Sequence, residues 1–403
     1  MNDVCFYCCP VKSSRSWFWR SSLHFGAPTV SPCSRPPRID MLRPERTRSC
    51  CHGNPIMEHD PFALSGGLQY SIHKNIIPSG KVPSGRGGAS AVYADGKIVT
   101  FGGHYFEGND KFKYLDETWL LDVEKLAWFK MKCSGLIPEP RYGHAAHIFG
   151  SRMFIFGGKG PDGIAYKDVF FLDLVEWIWV PVTPITAGPS SRFYHASEVV
   201  GRKMVIHGGW DGTDVLNDMW IFDTDSFSWT QPKTAGFEPT ARYGHSMTLT
   251  NDGRLIIFGG CSIVNGNGTP SYNNDLRQLD TTSMLWLRPR IDGQLPTGRY
   301  GHSATLMDDG RLLIFGGWGK GGLQTHETIS DKRAHSVHVL DTRAMNWYIP
   351  TRASKKEAKH LYNHSAARST GTSAVFVFGG FDGRQAINDF SVINLQADET
   401  TFQ

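Results

Sequence analysis

Long apolar runs are missing from this chain of 403 residues, and so are the short motifs that mark common enzyme classes. No stretch approaches the roughly 20 apolar residues that a membrane-spanning helix requires, so we expect no membrane span. No nucleophile elbow, P-loop or paired zinc-binding motif is present. The net charge of +4 is too small to indicate any class of partner, and we expect no nucleic-acid binding.

Cysteine is scarce outside the N-terminal region, whose first 51 residues hold six of the eight cysteines. The rest of the chain contains only Cys133 and Cys261. This distribution excludes a secreted domain built on disulfides and favours a cytoplasmic protein, with the nucleus and organelles left open. A helical apolar period of 3.6 residues is also absent, apart from a short charged stretch at 355–359.

Residues 1–56 differ in composition from everything that follows. They contain eight Lys or Arg and three acidic residues, with no strand pattern and no apolar core of a secretory signal. Three interpretations stay open: a disordered extension, a gene start placed too early with Met57 as the true start, or an organelle transit peptide. Cys5 and Cys8 have a metal-like spacing, but no second pair follows at a fixed distance. We expect a linker over 57–67.

What the chain does contain is a repeat. Six glycine pairs each end a short apolar run, at intervals of 51 to 63 residues, and a period near 50 residues is typical of a repeat architecture. Glycine pairs let a chain turn at a strand end without a Cβ clash and let neighbouring units approach closely. The pairs are Gly102 and Gly103, Gly157 and Gly158, Gly208 and Gly209, Gly259 and Gly260, Gly316 and Gly317, and Gly379 and Gly380.

Two further features follow the same period. An Arg lies 16 or 17 residues before five of the glycine pairs, and three of these Arg residues open an Arg-Tyr-Gly-His motif, as at 141–144. We expect the Arg and His to be structural groups that bond backbone carbonyls, because they recur in nearly every unit. A Trp follows an Asp by six residues in five units, and we expect it to form an apolar plate between units. The tryptophans are Trp128, Trp179, Trp229, Trp286 and Trp347.

Each unit fits four strands. The first follows the Arg, and the second begins after a turn such as Asp252-Gly253 and ends at the glycine pair. The third ends at the Asp, and the fourth holds the Trp. Four-stranded units of this length are typical of propeller blades. The glycine pairs and the spaced aromatic residue resemble the kelch repeat over residues 68–395, which implies an all-β, six-bladed kelch β-propeller.

The sixth unit lacks a fourth strand of its own. After Leu395 only the tail 396–403 remains, so we expect the segment 68–77 to pair with the sixth blade and close the ring. Closure removes the exposed sheet edges that invite aggregation. Three positions depart from the repeat: His73 stands at the Trp spacing, Leu361 replaces the Arg of the sixth unit, and the first unit lacks the usual His.

Function is expected where the loops vary. The loops between second and third strands are longest in the first, fourth and fifth units, and they emerge on one face of the ring. They are rich in aromatic residues and in both charge signs, a composition suited to protein recognition. We therefore expect a monomeric, non-enzymatic scaffold that needs no cofactor and binds a protein or peptide partner on this face. The expected contact residues are Tyr105, Phe106, Phe112, Tyr114, Tyr272 and Trp318.

One pattern in the fifth loop supports a different function. Glu327, Asp331 and His335 are spaced four and four, and carboxylates with imidazole are suitable iron(II) ligands. The pattern is similar to the iron-binding motif of plant specifier proteins, which are kelch propellers acting on glucosinolate breakdown products. That resemblance implies an iron(II)-dependent enzyme as the alternative. Three common residues at two fixed gaps also arise easily in polar loops, so the non-enzymatic interpretation is preferred.

Overall fold

The computed structural model of the chain describes residues 68–74, 81–109, 111–264, 269–320, 322–323, 336–352, 361–369 and 371–397. These residues form the six blades of a β-propeller, which confirms the all-β, six-bladed fold expected from the repeat. Within these ranges the one helical element is the 3-10 helix Pro161–Gly163, and no helix is long and apolar enough to cross a membrane.

Every blade contains four antiparallel strands, counted from the innermost strand beside the central channel to the outermost strand at the rim. Blade 1 consists of Ser90–Ala94, Lys97–Phe101, Thr118–Asp122 and Ala127–Lys130, and blade 2 of Ala145–Phe149, Arg152–Phe156, Val169–Asp173 and Ile178–Val182. Blade 3 consists of Ala196–Val200, Lys203–Trp210, Val215–Asp223 and Ser228–Thr230, and blade 4 of Ser246–Leu249, Arg254–Phe258, Leu276–Asp280 and Leu285–Leu287. Blade 5 consists of Ser303–Leu306, Arg311–Phe315, Val337–Asp341 and Asn346–Tyr348, and blade 6 of Ser365–Arg368, Ala374–Phe378, Phe390–Ala397 and Leu68–Lys74.

The second strand of each blade is deeply buried. In Arg152–Phe156 and Arg311–Phe315 the four residues after the Arg are all buried. A strand covered on both faces has no solvent side, so its sequence is a continuous apolar run and not an alternating one. The neighbouring blades supply that cover.

The ring closes where the first strand meets the last. Leu68–Lys74 runs antiparallel to Phe390–Ala397 through seven residue pairs. The last strand therefore extends two residues beyond position 395, and residues 75–77 of the expected closing segment lie outside the described ranges. Blade 6 also bonds blade 1 directly, because the Gly380 N–H donates to the Arg86 carbonyl at 2.8 Å.

Short segments of the links between blades cover the outer sheet edges. Four of these segments pair in parallel with the outermost strand of the next blade. This pairing protects the blade, because the backbone groups of an uncovered outer strand can bond to other chains. In blade 3 the link makes one backbone bond, from the Ile185 N–H to the Phe227 carbonyl at 3.0 Å, and the Thr186 hydroxyl donates to the Trp229 carbonyl at 2.8 Å. The covering segments of blades 2, 4, 5 and 6 are Ser134–Gly135, Ala235–Gly236, Asp292–Gly293 and Thr351–Arg352.

The five repeated Trp side chains lie between blades. Each is at most 5% exposed, and each contacts the last residue before the glycine pair of the preceding blade. Large aromatic rings at these borders contribute much of the buried apolar area that joins the blades. The ring centroid distances are 4.9 Å for Trp128 and Phe378, 4.8 Å for Trp179 and Phe101, 4.9 Å for Trp229 and Phe156, 5.8 Å for Trp286 and His207, and 5.1 Å for Trp347 and Phe258.

In blade 6 the position of the Trp is held by Ile72, and not by His73. Ile72 lies opposite Ile393, as each Trp lies opposite an apolar residue of its third strand. Ile72 is 8% exposed and shares an apolar cluster with Phe315 of blade 5, whereas His73 is exposed. Ile72 lies 14 residues before Arg86, whereas the Trp of each of the first four units lies 13 residues before the next Arg. Counting 13 residues back from Arg86 therefore selects His73, whose side chain lies on the opposite face of the strand.

Candidate functional site

Two kinds of connection emerge on opposite faces of the propeller. The loops between second and third strands and the links between blades emerge on what we call the loop face, and the tight turns emerge on the turn face. Three loops carry strands of their own on the loop face. They are His104–Gly108 with Lys111–Tyr114 in blade 1, Cys261–Val264 with Thr269–Tyr272 in blade 4, and Trp318–Gly319 with Arg299–Tyr300 and Gly322–Leu323 in blade 5.

A ring of six backbone hydrogen bonds surrounds the axis at the loop-face end of the channel. One residue per blade donates its N–H to the carbonyl of its neighbour at 2.7 or 2.8 Å, and the sixth bond closes the circuit. All six residues have φ between 51° and 66°, the left-handed region, which is why four of them are glycine. We call this ring the iris, and its members are Gly88, Gly143, Tyr194, Gly244, Gly301 and Asn363.

Behind the iris, five His side chains fill the gaps between blades. A Cβ on Gly157 of the preceding blade would lie 3.1 Å from Cε1 of His195, and one on Gly209 of the same blade would lie 2.8 Å from its Cβ. The glycine pairs therefore make room for the His. In three blades the His bonds a Ser hydroxyl of the preceding blade, as His144 bonds Ser90 at 2.9 Å, and not the backbone carbonyl that we expected. The five are His144, His195, His245, His302 and His364.

These imidazoles are neutral at physiological pH. Burial lowers the pKa of His144 to about 3, with a further contribution from the Arg141 charge, and it lowers the pKa of His364 to about 4. The pKa values of His195 and His245 lie well below the ordinary value for the same reason. A buried imidazole without a carboxylate partner loses hydration when charged. The channel wall is therefore polar but uncharged at these positions.

Buried Arg residues tie the loops to their blades. The Arg141 guanidinium donates to the Gly157 carbonyl at 3.0 Å and forms two bonds with Asp168, at 2.6 and 2.9 Å. We did not anticipate the acidic partners, although the sequence carries a signal, an acidic residue directly before or inside the third strand. The equivalent pairs are Arg86 with Glu117, Arg192 with Asp218 and Arg242 with Asp275.

The carboxyl group of Glu117 has a lowered pKa. Burial alone would raise the pKa, but hydrogen bonds, of which the first is that from Lys130, lower it to about 2.

An unbroken belt of aromatic rings surrounds the iris on the loop face. Its members follow either the Arg position or the glycine pair of a unit, and neighbouring ring centroids lie 3.9 to 6.1 Å apart. All eight rings are at most 9% exposed. The belt therefore forms a rigid base on which the loops stand. Its members in order are His104, Tyr142, Phe193, Trp210, Tyr243, Tyr300, Tyr362 and Phe381.

The blade 1 hairpin turns one aromatic side toward the belt. The ring centroids of Phe112 and Tyr114 lie 5.7 and 6.1 Å from that of His104. Phe106 is 39% exposed and packs against Phe112 at 5.4 Å. Tyr105 alternates to the other side of the hairpin. Burial lowers the pKa of His104 to about 4, so its neutral ring packs as an aromatic plate.

The predicted contact residues of blades 4 and 5 also lie beside the belt. Tyr272 stacks on Tyr300 with the ring centroids 5.9 Å apart, and Trp318 lies 5.1 Å from Tyr362. Tyr272 and Trp318 are half-buried, as are Tyr105, Phe112 and Tyr114. The structure thus brings all six expected residues to the loop face, each with part of its surface in solvent. Blades 1 and 4 are opposite in a ring of six, so their hairpins flank the iris.

The expected iron ligands cannot be placed. Glu327, Asp331 and His335 lie outside the described residues, so the iron hypothesis stays a prediction. Among the residues that the structure does describe, no group of three or more His, Cys, Asp or Glu side chains is arranged to hold a metal ion.

A closed ring of six four-stranded blades, each with a glycine pair at the end of its second strand, defines a kelch-repeat β-propeller, a typical protein-interaction fold. The family model for the KLHDC2/KLHL20/DRC7 Kelch-repeats domain matches residues 88–317 and 263–402. The chain therefore belongs to this kelch family, and the resemblance drawn from the glycine and aromatic spacing is confirmed.

Relatives with this repeat differ widely in length. Host cell factor of Drosophila melanogaster is 27% identical over 360 residues, which cover 82% of this chain and 23% of the relative. Acyl-CoA-binding domain-containing protein 5 of Arabidopsis thaliana is 29% identical over 350 residues, which cover 83% of this chain and 50% of the relative. Kelch domain-containing protein 2 of Bos taurus is 27% identical over 297 residues, which cover 66% of this chain and 68% of the relative. The chain thus spans half or less of the first two relatives.

Proposed function

We propose that the chain is a non-enzymatic interaction scaffold that acts as a monomer and binds a protein or peptide partner on its loop face. The observation that carries this proposal is the pair of hairpins on blades 1 and 4, which hold partly exposed aromatic side chains on opposite sides of the iris. Aromatic residues are enriched where protein partners bind, because one rigid side chain buries a large area.

We infer that the two hairpins border a cleft, because the loops between them are shorter. Blades 2 and 3 lie between blades 1 and 4, and their loops are shorter, with the 3-10 helix Pro161–Gly163 in blade 2 and the turn 211–214 in blade 3. A segment laid across the iris would meet Phe106 on one side and Tyr272 on the other. This geometry supports an extended segment or a projecting loop of the partner more than a flat domain surface.

Charges of both signs surround the cleft. Lys111 and Lys113 are exposed on the blade 1 hairpin and Lys167 on blade 2, whereas Asp214 is exposed and Asp211 half-buried on blade 3. Since neither sign dominates, we infer that the aromatic side chains select the partner and the charges form a polar rim. For the same reason we propose no nucleic-acid partner, which would favour a continuous basic surface.

Affinity capture with the full chain, quantified by mass spectrometry, tests this proposal. The test variant combines Tyr105→Ala, Phe106→Ala and Tyr272→Ala. The matched control is Val175→Ala, which removes an apolar side chain that is 68% exposed on the turn face. We expect a directly binding protein whose recovery falls at least about tenfold with the test variant, equivalent to about 1.4 kcal/mol, and is unchanged with the control. Melting curves of the variants should overlay. Recovery that falls only with Val175→Ala would place the site on the turn face.

The alternative function, an iron(II)-dependent enzyme, depends on Glu327, Asp331 and His335 alone. Carboxylate and imidazole ligands suit iron(II) only if the three converge on one point. We expect the purified protein to contain less than stoichiometric iron by elemental analysis. One iron per chain that disappears in His335→Ala would favour the enzyme over the scaffold.

A further inference from the structure

Two iris residues carry side chains, and they belong to opposite blades. Tyr194 precedes the innermost strand of blade 3, and Asn363 precedes that of blade 6. The Asn363 Nδ2 donates a hydrogen bond of 2.9 Å to the Tyr194 hydroxyl. Because the two backbones stand on opposite sides of the iris, this bond carries the two side chains across its opening. We call the pair the bar.

Glycine at the neighbouring iris positions leaves room for the bar. A Cβ on Gly143 would lie 3.1 Å from Cδ1 of Tyr194, and a Cβ on Gly301 would lie 2.4 Å from Oδ1 of Asn363. A cavity of about 160 Å³ lies along the bar, lined by the iris and the His residues behind it. The bar therefore crosses the opening between the loop face and the interior of the channel.

The backbone conformation at Tyr194 indicates that this position holds a tyrosine because its side chain is needed there. Its φ is 52°, a conformation that strains most side chains, and four of the six iris positions meet the same requirement with glycine. Asn tolerates this conformation better than Tyr does, because its short side chain can bond locally.

We propose that Tyr194 and Asn363 form the floor of the partner site and decide which residue a partner can place on the propeller axis. This inference rests on the proposed function. The bar is polar, with a phenol hydroxyl and a carboxamide, and the belt around it is aromatic. The floor therefore favours a partner segment that places a hydrogen-bonding side chain on the propeller axis. The residues on either side of it would be apolar, and the segment would then turn back toward the loop face. A segment that threads the channel would have to displace the bar.

A phage-displayed library of random peptides supplies the probe, since it requires no known partner. Peptides are selected on the full chain, and their affinities are measured against Tyr194→Phe, Asn363→Gly, the loop variant Tyr105→Ala/Phe106→Ala/Tyr272→Ala, and the control Tyr348→Phe. Tyr348 is 41% exposed on the outermost strand of blade 5 and loses only a hydroxyl far from the axis. Tyr194→Phe keeps the ring, and glycine at 363 is what four iris positions already hold, so both variants should fold, as melting curves will show.

Three outcomes separate the two proposals. We expect peptides with a recurring hydrogen-bonding residue at one position, whose affinity falls about tenfold with Tyr194→Phe and Asn363→Gly, falls with the loop variant, and is unchanged with Tyr348→Phe. Affinity that falls only with the loop variant overturns the floor and leaves the proposed function in place. Peptides insensitive to both sets of variants overturn both.

Discussion

The borders between blades 2 to 5 and the borders of blade 6 are stabilised by different groups. Between the regular blades, Trp, His and Arg side chains brace every border. At blade 6 and its borders Ile72 stands in the Trp position, Leu361 in the Arg position and Ala89 in the His position. Backbone pairing takes over, with a closing strand bonded along its whole length. Each border of blade 6 therefore keeps fewer side-chain braces, Trp128 at one and His364 at the other, and the main chain itself closes the ring within the blade.

The largest expected effect comes from removing that main-chain closure. Deleting residues 1–56 should leave the melting temperature unchanged, because we expect no strand there. Deleting residues 1–77 removes Leu68–Lys74 and exposes the edge of Phe390–Ala397, so we expect loss of cooperative unfolding and aggregation. Circular dichroism melts of the two truncations would show this. Equal melting of both would mean that backbone closure is not what holds blade 6.

Acid should destabilise the whole propeller. A buried His with a lowered pKa stays neutral when folded and takes up a proton on unfolding, so its contribution is complete above pH 6.5 and lost as the pH falls. At pH 5 each such group costs about 2 kcal/mol. Glu198 acts in the opposite direction, because burial raises its pKa to about 7. The groups with pKa values of about 3 or 4 are His104, His144, His147, His207, His302 and His364.

The combined effect of six His residues on stability exceeds the opposite effect of Glu198. We therefore expect the free energy of unfolding to fall by more than about 5 kcal/mol between pH 8 and pH 5, and a fall of this size is a large part of a typical domain's stability. Urea titrations at both pH values measure it. His302→Gln removes one titrating group and should flatten the dependence by about 2 kcal/mol. A stability that is flat over this range would show that the imidazoles are not buried between blades.

Trp229→Ala and Ile72→Ala compare the two kinds of border directly. Trp229 is 5% exposed between blades 2 and 3, and truncating it should cost about 3–5 kcal/mol. Ile72 holds the equivalent position in blade 6 but buries less surface, so Ile72→Ala should cost about 2 kcal/mol. Urea titration gives both values. Equal losses of stability in the two variants would mean that the border of blade 6 depends on its side chain as much as a regular border does. A loss below about 1 kcal/mol for Trp229→Ala would mean that Trp229 is not packed between blades.

The contrast also shows which features sequence alone can predict. The glycine pairs and the spacing of residues such as Trp179 repeat, and repetition is visible without coordinates. The position of Ile72 was missed because the link to Arg86 has one extra residue, and a one-residue shift moves a strand side chain to the opposite face. The bar could not be predicted, since it depends on two backbone conformations and on a contact between Tyr194 and Asn363 across 169 residues. Unique features need the three-dimensional arrangement; repeated ones do not.

The smallest expected effect restores a brace at the border of blades 6 and 1. At the regular borders a His ring covers the first glycine of the preceding blade, but at Gly379 the three nearest atoms are backbone atoms of Arg86 and Ile387, out to 3.7 Å. The cavity beside the iris reaches Ala89, and the Ser365 hydroxyl, counterpart of Ser90, donates to the Ala89 carbonyl instead.

Ala89→His should therefore place an imidazole over Gly379 within reach of Ser365, and we expect a gain of about 1 kcal/mol at pH 8, the usual value of one additional hydrogen bond. The control Ala89→Leu fills a similar volume without a bonding group and should not stabilise the fold. The gain should shrink as the pH falls below 6.5, because the new buried His must stay neutral. Urea titrations at pH 8 and pH 6 test both statements. If Ala89→His is no more stable than Ala89→Leu at pH 8, the gap at this border is not a missing His, and the closing blade is packed as completely as the regular ones.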